Sequence, residues 1–147
     1  MARPHPLKVL MNEPLPSKTQ QKRNCYRPTL SEVRKVYNLI NKYVFNGRLT
    51  RPKIILTRCR SYWGLCFGNY RQMRPGTYCR IILRNSYPSG QMMVQIIAHE
   101  MVHQYQWDIY STRRLMEGKE AIMSHGPSFF AWRDKLAEYD IDLSVSM

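Results

Sequence analysis

PSGQMMVQIIAHEMVHQYQWD, residues 88–108, is the stretch on which the fold turns. Pro88 and Ser89 stand where a helix opens, and no proline or glycine interrupts the residues after Gly90. Val94, Ile97, Ala98, Met101, Val102 and Tyr105 supply an apolar face, which predicts a buried, rigid helix over 89–108. Inside it lies His99-Glu100-Met101-Val102-His103, an HExxH pattern. Residues four apart on a helix point the same way, so both imidazoles can bind one metal ion. Glu100 is turned by about 100° from His99 around the axis. That places it near the ion without making it a ligand, where it can take a proton from water held by the metal. With four His and six Glu in the chain, chance gives the pattern an expectation of about 0.004, so an incidental pair of histidines is disfavoured.

A catalytic zinc wants three protein ligands and an open position. The longer HExxHxxGxxH pattern fails here, because Gln106 replaces its Gly and Ile109 its final His. Glu117, Glu120 and His125 lie downstream as alternatives. His125 is favoured because it sits in Ser124-His125-Gly126-Pro127-Ser128-Phe129. Gly126 permits a sharp turn and Pro127 fixes the start of a last helix, so rigid backbone places the imidazole. The fourth histidine, His5, falls among prolines and reads as a bystander.

Upstream, Thr29 and Glu32 form a capping-box pattern, followed by Leu30, Val33, Tyr37, Ile40 and Val44 at helical spacing. They predict a helix over 30–46, closed by Gly47 as a left-handed residue. Strands are expected at 54–56, 62–68 and 78–83, with Arg74-Pro75-Gly76 as the turn between the last two. Gly118 lies in a less regular connection, and Pro127 opens a final helix to about 139 with Phe129, Trp132 and Leu136 on one face. The expected fold is α+β: an N-terminal helix, a small three-stranded antiparallel sheet, the HExxH helix and a C-terminal helix. Five prolines in residues 1–28 suggest an extended basic arm, leaving 29–147 as the folded domain.

Length and charge narrow the function. The chain has 147 residues, enough for one core without disulfides. Its net charge is +13, from 23 Lys+Arg against 10 Asp+Glu. No carboxylate side chain occurs between Glu32 and Glu100. A polyanion, most naturally DNA that is single-stranded or partly unpaired, fits the basic region 36–90. There Arg58, Arg60, Arg71, Arg74, Arg80 and Arg84 alternate with Tyr62, Trp63, Tyr70 and Tyr78. The arginines can track phosphates while most of the aromatics face the core. No apolar run approaches the ~20 residues of a spanning helix. The opening residues lack a secretory pattern. Cys25, Cys59, Cys66 and Cys79 show no CxxC spacing and are expected to be reduced thiols. Together these features predict an intracellular protein, cytoplasmic or nucleoid/nuclear, with no membrane partner.

HExxH followed by His125-Gly126-Pro127 and Phe129 resembles the SprT-like metalloprotease domain, the domain of the Spartan proteases. The resemblance covers residues 29–140 and includes the preceding helix, the basic sheet with Trp63-Gly64 and Cys66, and Phe129. It implies a minimal zincin-like domain and a zinc-dependent endopeptidase acting on DNA-associated proteins, including proteins crosslinked to DNA. By motif match His99, His103 and His125 would hold a single Zn2+, and Glu100 would be the catalytic base. Gln104 follows the second histidine where the family often has a small residue, and no cysteine follows Cys79 to build the zinc ribbon of bacterial members. The alternatives are a zinc peptidase unconnected with DNA, and a nucleic-acid-binding or assembly protein that keeps a structural zinc. A purely structural zinc has no use for Glu100.

Overall fold

The computed structural model describes residues 5–14, 17, 26–68 and 79–144. Helix α1 spans Pro6–Met11 and α2 spans Leu30–Tyr43. Strands β1 (Lys53–Thr57), β2 (Gly64–Phe67) and β3 (Arg80–Arg84) follow. Helix α3 covers Gly90–Tyr105 and continues through a π-helical turn, Gln106–Tyr110, into α4, Ser111–Met116. Two short helices close the domain, α5 (Pro127–Phe130) and α6 (Arg133–Ala137). The α+β class therefore stands.

Local chemistry sets the helix ends. Thr29 Oγ1 accepts the Glu32 amide at 3.1 Å, and Ser89 Oγ accepts that of Met92 at 3.1 Å. Each bond satisfies one of the orphan donors of a first turn. Gly47 takes φ 72° past the end of α2, and its amide reaches back to the Asn41 carbonyl at 2.8 Å. The expected single C-terminal helix is instead two pieces, broken between Phe130 and Arg133.

The sheet corrects an expectation. Its order is β1-β3-β2, with β2 antiparallel to β3 but β1 parallel to β3. The sheet is thus mixed rather than antiparallel. The apolar runs Ile54-Ile55-Leu56 and Ile81-Ile82-Leu83 pair in register. Such unbroken runs suit strands covered on both faces, as parallel pairs usually are. The proposed turn at Arg74-Pro75-Gly76 lies outside the described residues. Within the N-terminal arm, residues 6–11 are helical rather than extended, and Leu7 is fully buried in the core. His5 accepts the Leu7 amide through Nδ1 and packs its ring on Tyr43 and Tyr139.

Helix α3 packs against β2, α1 and α2. Every residue from Ile96 to Gln104 is buried, so this stretch of the helix is covered all round, its polar side chains included, rather than on one face. Gln104, wholly buried, accepts a hydrogen bond from the Tyr37 hydroxyl at 2.7 Å. Its amide donates to the Thr50 carbonyl at 2.6 Å and to Asp108 Oδ2 at 3.1 Å. A long polar side chain is thereby accommodated where a small residue was expected.

Two glycines permit close approaches beside α3 and the turn after it. At Gly64 a Cβ would lie 2.8 Å from Ile96 Cγ2 and 3.1 Å from Glu100 Cγ. At Gly68 it would lie 1.9 Å from Trp107 Cε2. Gly68→Ala is therefore expected to destabilise the domain by at least ~1–3 kcal/mol, the usual cost of overpacking. Urea unfolding checks this: a midpoint equal to that of the parent would mean that the indole yields freely. Among the described residues no helix is long and apolar enough to cross a membrane.

Candidate metal centre

The helical spacing of His99 and His103 turns both imidazoles to one side of α3, with ring centroids 5.1 Å apart. His125 reaches them from the turn before α5, where Gly126 caps the helix and Pro127 occupies its first turn. His125 Nε2 lies 3.0 Å from His103 Nε2 and 3.2 Å from His99 Nε2. The three ligand atoms fall within 4.8 Å of one another, so the group could hold a metal ion. Glu117 and Glu120 are exposed and stand outside it. Phe129, fully buried, lies against all three rings, with centroid separations of 4.9, 4.9 and 4.8 Å.

The outer nitrogens decide what the inner ones offer. His99 Nδ1 sits 2.8 Å from the Ser144 carbonyl, which can only accept, so the hydrogen is on Nδ1. His103 Nδ1 sits 2.8 Å from Gln106 Oε1. The Gln106 amide nitrogen meets the Ser124 carbonyl at 2.8 Å and Ser128 Oγ at 2.9 Å. That orientation leaves Oε1 as the acceptor for His103. Two imidazoles therefore aim Nε2 lone pairs into the space shared with His125. Lone pairs converging at this range repel unless a cation or a shared hydrogen lies between them, and three imidazole nitrogens so placed fit a metal.

Electrostatics agree with this picture. Burial first, and then the neighbouring His103, push the His99 pKa down to about 4. Burial also lowers that of His103. Both rings are neutral at physiological pH and keep their lone pairs. Glu100 has the opposite shift: burial pushes its carboxyl up to about 8. Its Oε1 stands 4.0 Å from His99 Nε2, beside the histidine group rather than within it. A cavity of about 200 Å3 opens there, lined by Ser61, Tyr62, Trp63, Gly64, Ile96, His99 and Glu100. Tyr105 and Tyr110 line a different cavity with Trp132 and Lys135.

The basic residues divide. Arg58, Arg60 and Arg80 are exposed. Arg84 is half-buried, with its guanidinium 3.8 Å from the Trp63 ring centroid. It donates to the Tyr62 carbonyl at 2.6 Å and to the Arg60 carbonyl at 2.9 Å. Arg84 thus clamps the 60–62 segment that walls the cavity. Trp63 also stacks on the buried Tyr87 at 5.8 Å. Arg71, Arg74, Tyr70 and Tyr78 lie outside the described residues.

Gln106 and Ser144 were not expected at this centre. Gln106 is one helical turn beyond His103, a spacing that could have flagged it. Ser144, 45 positions from His99, leaves no local signal. Comparison with known proteins adds one match. No curated protein matches the chain at a significant level. The model of the SprT-like family matches residues 33–146, most of the sequence and all of the site just described, and the chain belongs to that family.

Proposed function

We propose that the chain is a zinc-dependent endopeptidase, with His99, His103 and His125 as ligands and Glu100 as the catalytic base. The observation that carries this reading is the convergence of three imidazole Nε2 atoms beside one buried carboxylate. Three neutral nitrogen ligands with an open position are what a catalytic zinc needs. When bound, zinc supplies Lewis-acid chemistry, acidifying water and polarising the scissile carbonyl.

The chain's own groups do the rest. The Glu100 carboxylate takes the proton of the attacking water and delivers it to the leaving amine nitrogen. A pKa raised by burial suits that two-way transfer near neutral pH. Strand β2 is an outer strand of the sheet, and Gly64 stands at the cavity beside Glu100. An extended substrate peptide can add to such an edge through main-chain hydrogen bonds, which brings its carbonyl to the cavity. Tyr62 and Trp63 wall the same space.

Elemental mass spectrometry of the purified protein and of His125→Ala tests the ligand set. About one zinc per chain, strongly reduced in the variant, is the expected result. An absence of zinc after zinc loading would leave a basic binding protein and overturn the enzyme reading.

The proposed substrates are proteins bound or crosslinked to DNA, reached through an exposed basic surface. Arg58, Arg60 and Arg80 contribute to it, and Lys53 pairs directly with Arg80 across the sheet. Each phosphate contact adds about −0.7 to the log–log salt slope for a single strand, so these three arginines alone predict about −2. Fluorescence anisotropy of a labelled single-stranded oligonucleotide measures it. A slope near zero would remove DNA from the proposal and leave a peptidase with other substrates.

A further inference from the structure

We propose that Gln106, the residue that breaks the longer HExxHxxGxxH pattern, is a positioning residue for the metal centre. One amide fixes the tautomer of His103 and anchors the segment carrying His125; the proposal rests on the metal reading above. Gln106 is wholly buried at the start of the π-helical turn. Its Nε2 donates to the Ser124 carbonyl at 2.8 Å and meets Ser128 Oγ at 2.9 Å, and these serines flank His125 at −1 and +3. Its Oε1 faces His103 Nδ1 at 2.8 Å.

The Ser124 carbonyl cannot donate, so the NH2 end must face it and Oε1 must face His103. His103 Nδ1 then carries the hydrogen, and its Nε2 offers a lone pair toward His125 Nε2, 3.0 Å away. His125 lies 22 residues beyond His103 in an exposed turn. The same side chain therefore sets the direction of one ligand and the location of another. Partners of this kind typically govern metal affinity by 10–100-fold.

Three readouts test it. In wild-type metal-free protein, long-range 1H–15N NMR is expected to show His103 as the Nδ1–H tautomer. Finding Nε2–H there overturns the proposal without any variant. Gln106→Met is expected to populate both tautomers and to weaken zinc binding by roughly 10–100-fold in chelator competition. Gln106→Glu keeps an acceptor for His103 but sets a carboxylate against the Ser124 carbonyl. It should hold the tautomer while still losing zinc affinity. Wild-type affinity in both variants overturns the positioning role. Failure of the wild type itself to bind zinc would instead overturn the metal reading.

Cys66 Sγ and Cys79 Sγ stand 3.1 Å apart. Cys66 is on β2, and Cys79, fully buried, immediately precedes β3. Cys66 pairs with Ile81, so the two cysteines are diagonal neighbours on one face of an antiparallel pair. The structure assigns them as a dithiol that a hydroperoxide converts to an intrachain disulfide. The half-buried Cys66 attacks the peroxide oxygen, giving a sulfenic acid and releasing an alcohol or water. Cys79 then displaces water from that sulfur, so two thiols and one hydroperoxide give one disulfide, water and the reduced peroxide. A shared hydrogen bond with Cys79 and burial hold the Cys66 thiol well above its ordinary range, so little thiolate is present at neutral pH and the attack on peroxide should quicken as pH rises.

Peptide mapping of the full chain after limited hydrogen peroxide tests this. The expected product is a Cys66–Cys79 linked peptide, two hydrogens lighter and reversed by dithiothreitol. Sulfinic or sulfonic acid at either position without a cross-link, or a bridge to Cys25 or Cys59 in its place, would overturn it.

Discussion

Glu100→Gln is expected to bind zinc as the parent does and to lose peptide hydrolysis by roughly 10²–10⁴-fold, the contribution of a positioned general base. Zinc retention follows from geometry: the three imidazoles form the group that could hold the ion, and Glu100 stands beside it. Folding should survive as well. Burial pushes the Glu100 carboxyl up to about 8, so in the metal-free protein it carries a proton at neutral pH. A carboxamide is then close to isosteric and equally uncharged. What the amide cannot do is take a proton from water and return it to the leaving nitrogen. Zinc per chain, measured beside cleavage of an unstructured protein with and without single-stranded DNA, separates the two properties. Substantial cleavage by the variant would place the base elsewhere. Loss of zinc would mean that Glu100 helps to hold the ion, and its role would need revision.

The parts of this centre legible in the sequence are those written in local chemistry. Thr29, Ser89 and Pro127 mark helix starts because capping is decided within a few residues. His99 and His103 share a face because helical geometry compels it. His125 was favoured for the rigidity of Gly126-Pro127, and that turn does bring it to the other two. Features that depend on distant partners were harder to read. Periodicity identified three strands but not the parallel pairing of β1 with β3, because an unbroken apolar run signals cover on both faces without fixing strand direction. Composition made the N-terminal arm look extended, yet residues 6–11 form a short helix that docks on the core through buried Leu7, with Leu10 and Met11 packed beside it. Nothing in the sequence around Arg84, expected as a phosphate contact, showed that its guanidinium also lies on Trp63 and donates to the carbonyls of residues 60 and 62. In each case tertiary packing chose between meanings that the local sequence left equal.

Phe129→Ala is the largest stability loss expected from a single change near the centre. The ring is fully buried and joins the main core cluster. Removing a buried Phe ring typically costs about 3–5 kcal/mol, through lost transfer free energy and the cavity left behind. Much of a domain's usual net stability of about 5–15 kcal/mol would go with it. The same ring packs on all three imidazoles, so the cavity opens under the ligands. Zinc affinity should therefore fall alongside stability, although no ligand atom has been removed. Urea unfolding of the metal-free protein measures the first effect and chelator competition the second. Phe129→Leu, which keeps much of the volume, should show smaller losses in both. Zinc at 100 times its dissociation constant returns only about 2.7 kcal/mol by mass action, so loading the site should not fully rescue the alanine variant. A loss under about 1 kcal/mol, far below the range for a buried aromatic, would mean that the three histidines are held in place without the ring beneath them.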